Sequence, residues 1–242
     1  MTEFILFIGG IAAGVINAVA GGGSTIVLPL LMLMGIDAAT ANGTNRVAVL
    51  FQSTSATRTF ARRGHLERGI VQKTLPLVVL GAICGALAAA NVPVPALEKT
   101  FSLCFFGLGI WLIFPKRSST SRAATTNRTL ANLIYILIGF YGGFIQAGVG
   151  IPLLLALLGC EQLNFAQANA TKVFCILVYS CLAITVFGSM AQIDWVKGII
   201  LGIGGLVGGD LGARFATSKT PKYLHPALGL FLLATAVKFL VG

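Results

Sequence analysis

The sequence predicts an all-α, polytopic integral membrane protein made of two inverted-topology repeats with broken or re-entrant helical hairpins. Three observations carry this. Of 242 residues, 56% are hydrophobic and only 10% are charged, whereas soluble domains carry about 25% charge. Several apolar stretches reach the roughly 20 residues that a helix needs to cross a bilayer. Finally, one pattern occurs twice: a glycine-broken apolar segment followed by a short polar cluster. In the first half the break is Gly21-Gly22-Gly23-Ser24-Thr25 and the cluster is Ala41-Asn42-Gly43-Thr44-Asn45-Arg46. In the second half they are Gly148-Val149-Gly150 and Ala168-Asn169-Ala170-Thr171-Lys172.

The first element covers residues 4–36. Its opening run, Phe4–Ala20, is similar to a signal-peptide core, and Ala18-Val19-Ala20 to a cleavage site. Met1-Thr2-Glu3 carries no positive charge, however. The same pattern also recurs internally at Ile136–Gly150, so residues 4–20 are read as mature structure. The run 24–35 measures only about 18 Å as a helix, against a hydrocarbon core of about 30 Å. A helical hairpin turning at the glycines is expected, either re-entrant or made of two short tilted helices.

Three spans follow, at Asn42–Ala61, Ile70–Ala90 and Ala96–Phe114. Residues 116–129 are polar and basic and read as a linker. The second half repeats the plan, with a broken element at 131–160 and spans at Phe165–Gly188, Trp195–Phe215 and Tyr223–Val241. The organisation is therefore 1–115 as the first repeat, 116–129 as a cytoplasmic linker and 130–242 as the second repeat.

An offset of 127 residues places Ala41-Asn42 on Ala168-Asn169, Thr44 on Thr171, Leu50 on Leu177, Ser53 on Ser180, Gly81 on Gly208 and Gly85 on Gly212. Upstream, an offset of 129 places Gly14 on Gly143, Asn17 on Gln146 and Ala18 on Ala147. Apart from Leu50 and the alanines, these matches fall on polar and glycine positions.

The net charge of +10 is distributed between apolar spans, which reads as topology and not as nucleic-acid binding. Arg58, Arg62, Arg63, Arg68 and Lys73 surround the first loop. Lys116, Arg117, Arg122 and Arg128 fill the central one, and Arg214, Lys219 and Lys222 mark the last. The loops Asn91–Glu98 and Ser189–Asp194 contain no Lys or Arg. The positive-inside rule makes the basic loops cytoplasmic. The loop near residue 65 then lies inside and its counterpart near 191 outside, so the repeats are inverted. Both termini fall on the non-cytoplasmic side of a bacterial-type inner membrane.

Interrupted hydrophobic segments at matching places in two halves point to a transporter's binding site. Backbone that leaves the helix inside a membrane must be buried in protein or line a wet cavity. At Gly22-Gly23-Ser24-Thr25 a new helix would present free N–H groups, capped by Ser24 or Thr25. Gly148 and Gly150 would supply a second such N-terminus, with Pro152 near its start as Pro29 follows the first. Helix N-termini bind anions without a basic side chain. The competing expectation is that these glycines only permit close helix packing.

The polar clusters place Asn42, Thr44 and Asn45 with Arg46, and Asn169 and Thr171 with Lys172. One cation near the membrane in each half invites an anionic substrate. Alternatively, both cations snorkel to headgroups. Asn42 and Asn169 also fit as helix N-caps, a role that can coexist with substrate binding. Asn17 and Gln146 precede the breaks at matching places and could donate amide N–H groups to substrate oxygens, or bond between helices. The direction of Gln52 is left open.

Asp210 lies inside a span with Arg214 four residues on, an i,i+4 pair or a proton-coupling site. His65 and His225 lie near span ends. Cys84, Cys104, Cys160, Cys175 and Cys181 have no metal-type spacing and read as small packing residues. No Ser-His-Asp set, zinc-protease motif or phosphate-binding lysine loop is present, so no enzymatic activity, metal or cofactor is expected.

Gly21-Gly22-Gly23-Ser24 leading to Pro29, then Ala41-x-x-Thr44-Asn45, resembles the first-half motif of the sulfite exporter TauE/SafE family of membrane permeases. Gly142-Gly143-Phe144-x-x-Ala147-Gly148-Val149-Gly150 and Ala168-x-Ala170-Thr171-Lys172 resemble its second-half motif. Ile193-Asp194-Trp195 with Gly208-Gly209-x-x-Gly212-Ala213-Arg214 is similar to its closing pattern. The resemblance implies a permease for small sulfur-containing anions such as sulfite or organosulfonates.

The expectation is thus a secondary transporter of small anions working by alternating access, with substrate near the midplane between the two breaks. Its partners would be the substrate and the lipid bilayer, without nucleic acid, and a homodimer is compatible with it. A passive anion channel and a membrane-embedded scaffold are the alternatives.

Overall fold

The computed structural model describes residues 2–113, 127–216 and 224–241. Among them there are ten helices and no strand. The first half contains α1 (Thr2–Ala20), α2 (Ser24–Leu33), α3 (Ala38–Arg62), α4 (Arg68–Asn91) and α5 (Val94–Ile113). The second contains α6 (Arg128–Phe144), α7 (Gly150–Cys160), α8 (Phe165–Ser189), α9 (Trp195–Phe215) and α10 (Leu224–Val241). The polytopic all-helical expectation holds. Of the helices long enough to cross a bilayer, α1, α4, α5, α8 and α9 are also apolar enough.

Helix starts follow side-chain chemistry. The Asp37 carboxylate accepts from the backbone N–H of Ala39 and Thr40, both at 3.0 Å, and starts α3. Asn164 and Gln167 form a reciprocal capping box at the start of α8. Asn42 and Asn169 are therefore not N-caps. Asp37 and Asn164 lie earlier with extended backbones, which is the conformation a cap requires, and the two asparagines fall inside the helices.

The linker expectation also shifts. Asn127 caps α6, and Arg128 and Thr129 already belong to that helix. Residues 116–126, with Lys116, Arg117 and Arg122, lie outside the described residues, as do Lys219 and Lys222.

Both broken elements are hairpins. Gly23 lies against Ala13 and Asn17, and Leu30 against Gly9, so α2 runs back along α1. In the second half, Val149 lies against Gly142. At the far end of α7, Glu161 forms an ion pair with Arg128, the first residue of α6, at 2.8 Å. The returning helices have 10 and 11 residues, about 15 Å each, too short to cross. Pro29 lies in the interior of α2 rather than at its start, whereas Pro152 is the third residue of α7.

Glycines set the packing of the first helices. Each half's first helix packs against the fourth helix of the other half, α1 on α9 and α6 on α4. The contacts run in parallel register: Gly204, Gly208 and Gly212 face the backbone of Phe7, Ile11 and Val15, and Gly81 and Gly85 face that of Ile136 and Phe140. A methyl group at any of these glycines would meet a carbonyl oxygen. Backbones approach this closely only where side chains are absent. The glycine pairs that align the two halves in sequence, Gly81 with Gly208 and Gly85 with Gly212, are thus the residues at these two crossings.

The polar helix α3 lies at the centre, against α8, α9 and α2. Its contacts with α8 are antiparallel. Arg46 stacks over the Phe187 ring at 5.4 Å, Val49 clusters with Ile176 and Tyr179, and Ala56 and Phe60 cluster with Ala170 and Val173. The outer surface carries exposed Leu80, Leu103, Trp111, Leu137, Ile203 and Val207, an inside-out arrangement that suits lipid. Two cysteines depart from the packing expectation: Cys84 and Cys181 are exposed, while Cys175 is buried. Cys84 and Cys181 fall on apolar helices that form this outer face, where the surroundings are as apolar as a core.

Candidate functional site

The last four carbonyls of a helix have no partner within it. In water the solvent satisfies them; inside a membrane the protein must. Here each half satisfies those of the other. Lys172 Nζ donates to the carbonyl oxygens of Asn17 and Ala18 at the end of α1, at 3.0 and 3.4 Å. Arg46 donates from Nη1 to the Gly142 carbonyl and from Nη2 to the Gly143 carbonyl at the end of α6, both at 2.6 Å. Asn42 Nδ2 adds a bond to the Phe144 carbonyl at 2.7 Å. A cation at a helix C-terminus also complements the negative end of the helix dipole.

Both cations are held locally as well. Asn42 Oδ1 accepts from Arg46 Nη2 at 3.0 Å, and Asn169 Oδ1 from Lys172 Nζ at 2.6 Å. Both cations are 0% exposed, which overturns snorkelling to headgroups. A side chain that reaches buried carbonyls has no route to the interface.

The two breaks meet at one point. The backbone N–H of Gly150 donates to the carbonyl of Gly21 at 3.0 Å. Gly21 has φ +80°, and each glycine leaves no room for a Cβ on the other. The α7 N-terminus is thus partly capped by peptide backbone. At the α2 N-terminus the cap is Gly23, without a side-chain bond, which corrects the expectation for Ser24 and Thr25. Thr25 instead turns its hydroxyl to the Gly22 carbonyl, and Ser24 Oγ accepts from Asn45 Nδ2 at 3.1 Å. Their hydroxyls are engaged sideways because the Gly22-Gly23 turn is already helical at Gly23.

Gln146 occupies a left-handed backbone conformation (φ 69°), which costs a non-glycine residue of order 1–2 kcal/mol. Its Oε1 accepts from Arg46 Nη1 and from the Tyr179 hydroxyl, the latter at 3.0 Å. Two donors on the oxygen fix the amide orientation, so Nε2 is the end left for an acceptor. Asn17, the matching residue, is 4% exposed.

The structure thus gathers Asn17, Ser24, Asn42, Asn45, Arg46, Gln146, Gly148, Gly150, Asn169 and Lys172 around the breaks. Thr44 is the exception: its hydroxyl accepts from the Asp194 N–H at 2.9 Å and ties α3 to the loop before α9. Thr171 Oγ1 is buried with no hydrogen-bond partner.

Other orphan atoms were not expected. Arg46 Nε, Asn45 Oδ1, both amide atoms of Gln52, Ser53 Oγ and Ser180 Oγ are buried without partners, and buried polar groups normally have one. Ser53 and Ser180 are equivalent positions in the two halves. That pairing was a legible signal, used only to align the repeats. Tyr179 had no sequence signal, because a tyrosine in an apolar span reads as packing.

The electrostatics are one-sided. The chain has seven Asp and Glu residues, and none of them bonds Arg46 or Lys172; Glu161, whose side chain is 6% exposed, is paired with Arg128 at the far end of α7. The ion pairs among the described residues are Arg128–Glu161, Lys197–Asp194 and Arg214–Asp210. Arg46 and Lys172 have only neutral oxygens around them. Burying a charge is costly unless it is paired and hydrogen-bonded, and at this centre two basic side chains are faced by neutral dipoles alone. The Asp210–Arg214 pair, at 2.8 Å, forms as the i,i+4 spacing predicts. No group of three or more His, Cys, Asp or Glu that could hold a metal occurs among the described residues.

The chain is similar to the "Probable membrane transporter protein ORF9" of Sinorhizobium sp, 29% identical over 97% of this chain and 91% of that protein. A "Probable membrane transporter protein" of Haemophilus influenzae is 28% identical over 92% of this chain and 88% of its own length. The "Probable membrane transporter protein YfcA" of Escherichia coli (strain K12) is 26% identical over 98% and 88%. No solved structure matches. The family described as Sulfite exporter TauE/SafE matches residues 6–239, nearly the whole chain, and this multi-pass membrane protein belongs to it.

Proposed function

We propose that the protein is a secondary transporter of small anions, with sulfur oxyanions such as sulfite or organosulfonates as the substrate class. The observation that carries the anion preference is the pair of fully buried basic side chains, Arg46 and Lys172, with no carboxylate paired to either among the described residues. An anion entering this centre supplies the missing charge, and a cation is repelled.

The orphan donors fit the same ligand. Arg46 Nε–H and the Ser53 hydroxyl on α3, and the Thr171 and Ser180 hydroxyls on α8, are buried without partners on the two helices that cross at the centre. A tetrahedral or pyramidal oxyanion accepts several hydrogen bonds at once and would satisfy them in turn. Family membership supports the sulfur chemistry.

Alternating access is supported by the arrangement of the halves. The first helices exchange partners, the central α3–α8 pair is antiparallel, and each half's cation closes the other's broken helix. Rocking of one repeat against the other would loosen one cap while the second holds. The basic residues at the end of α3 support a cytoplasmic location for it.

The test is flux of labelled sulfite, sulfate and a panel of organosulfonates in proteoliposomes. Saturable uptake with accelerated exchange when the anion is present on both sides is expected. Linear, non-saturating flux would indicate a channel, and no anion flux under any gradient would overturn the proposal.

A further inference from the structure

A second polar site lies at the ends of α3 and α9, away from the breaks. From Arg46 to Arg62 the chain climbs about 24 Å along α3. Here Thr59, Arg62, Arg63, Asp210 and Arg214 line a cavity of about 210 Å³.

Its internal bonding leaves a surplus of positive charge. The single carboxylate, Asp210, is consumed on both oxygens: Oδ1 accepts from the Thr59 hydroxyl, and Oδ2 pairs with Arg214 Nη2 at 2.8 Å. Arg63 Nη1 donates to the Arg214 carbonyl at 3.0 Å, closing the last turn of α9. Thr59, Arg63 and Asp210 thus brace α3 against α9. Arg62 makes no ion pair among the described residues. Three guanidinium groups face one carboxylate, so the cavity carries a net charge of about +2 by simple count of formal charges.

The surroundings identify the occupant. Val207, Leu211 and Phe215 are 46%, 38% and 65% exposed and recur at helical spacing on α9. Arg214 lies on that same face, beside Phe215 and three residues after Leu211. An apolar stripe leading to a cationic cavity matches an amphipathic anion.

We propose that this cavity binds the phosphodiester headgroup of an anionic phospholipid, with the acyl chains lying along the α9 stripe. Guanidinium groups bind phosphate oxygens bidentately, and basic pockets between membrane helices recognise such headgroups. A free oxyanion would use the arginines alone, whereas a phospholipid uses the arginines and the lipid-facing stripe beside them together.

Native mass spectrometry of the purified full chain with phosphatidylglycerol, phosphatidylcholine or inorganic phosphate tests this. At equal mole fraction, phosphatidylglycerol occupancy should exceed that of phosphatidylcholine at least 5-fold. R62Q should reduce that preference, and R62Q combined with R214Q should abolish it. Because Arg62 is exposed and outside the brace, R62Q should leave the melting temperature in lipid-free detergent unchanged. Equal occupancy by the two lipids would overturn the proposal, as would a preference that survives the double substitution. Displacement of phosphatidylglycerol by millimolar inorganic phosphate would instead assign the cavity to free anions.

Discussion

Gly150 donates its backbone N–H to the carbonyl oxygen of Gly21 at 3.0 Å, so one peptide-to-peptide bond joins the broken elements of the two halves. No side chain on either residue fits between them. Gly21→Ala and Gly150→Ala should each destabilise the protein by about 1–3 kcal/mol through overpacking, with further strain at the left-handed Gly21. Gly159, inside α7 with open space around it, is the control: Gly159→Ala should be neutral or stabilising by up to ~1 kcal/mol. Thermal melts in detergent compare the three. An unchanged melt for Gly150→Ala would mean the crossing is not tight.

Arg46 serves two carbonyls, Asn42 and Gln146 at once. Arg46→Met leaves the Gly142 and Gly143 carbonyls without their donor and Gln146 Oε1 with the Tyr179 hydroxyl alone, and each unsatisfied acceptor costs about 1–3 kcal/mol. A large fall in melting temperature is expected. Arg46→Lys should recover only part of it, because an ammonium cannot reproduce the planar fork. Full recovery by lysine would show that charge alone matters at this position.

Lys172→Met keeps the length of the side chain and removes its charge. Saturable anion uptake should fall at least ~10-fold, about 1.4 kcal/mol in the barrier. Uptake that persists undiminished at every substrate concentration would remove Lys172 from the anion site and leave it as a cap for α1.

Ser53→Ala and Ser180→Ala separate binding from architecture. Both hydroxyls are buried without a protein partner, so removing them should cost no stability and could gain some. Transport should nevertheless weaken, read as a raised half-saturation concentration. A drop in melting temperature with normal transport would show that these hydroxyls serve structure.

Asp194 caps α9, accepting from the Lys197 N–H at 3.0 Å. Partial burial raises its carboxyl, but the Lys197 side chain and backbone N–H outweigh that and hold it below the ordinary value. A lowered folded-state pKa gives stability that is present above the unfolded value of about 4 and is lost as pH falls through the folded value. The melting difference between wild type and Asp194→Ala should therefore be constant from pH 7 to about pH 5 and shrink below about pH 4. A difference independent of pH would show that the carboxylate charge contributes nothing to the cap.

Much of this protein was legible in the chain because a membrane makes composition and spacing decisive. A hydrocarbon solvent demands long apolar helices, and Trp195–Phe215 appears in the structure with the bounds read from the sequence. Each glycine break had to turn, since no helix continues through Gly21-Gly22-Gly23, and the lone cations in apolar surroundings had to matter. Helix starts were less legible. Asp37 and Asn164 lie just outside the apolar runs, so Asn42 and Asn169 read as the caps.

The sequence by itself determined the fold class, the doubled pattern and the residue types that gather near the breaks. Only the tertiary structure decided what each cation faces. Arg46 and Lys172 lie nearest in the chain to their own half's break, yet their bonds run to the other half's helix end. That exchange arises because α1 packs on α9 and α6 on α4, contacts between residues more than 50 positions apart in the chain for α4 and α6 and nearly 200 for α1 and α9. Periodicity reports the face a residue presents along its own helix; it carries no information about which helix end will come to lie opposite.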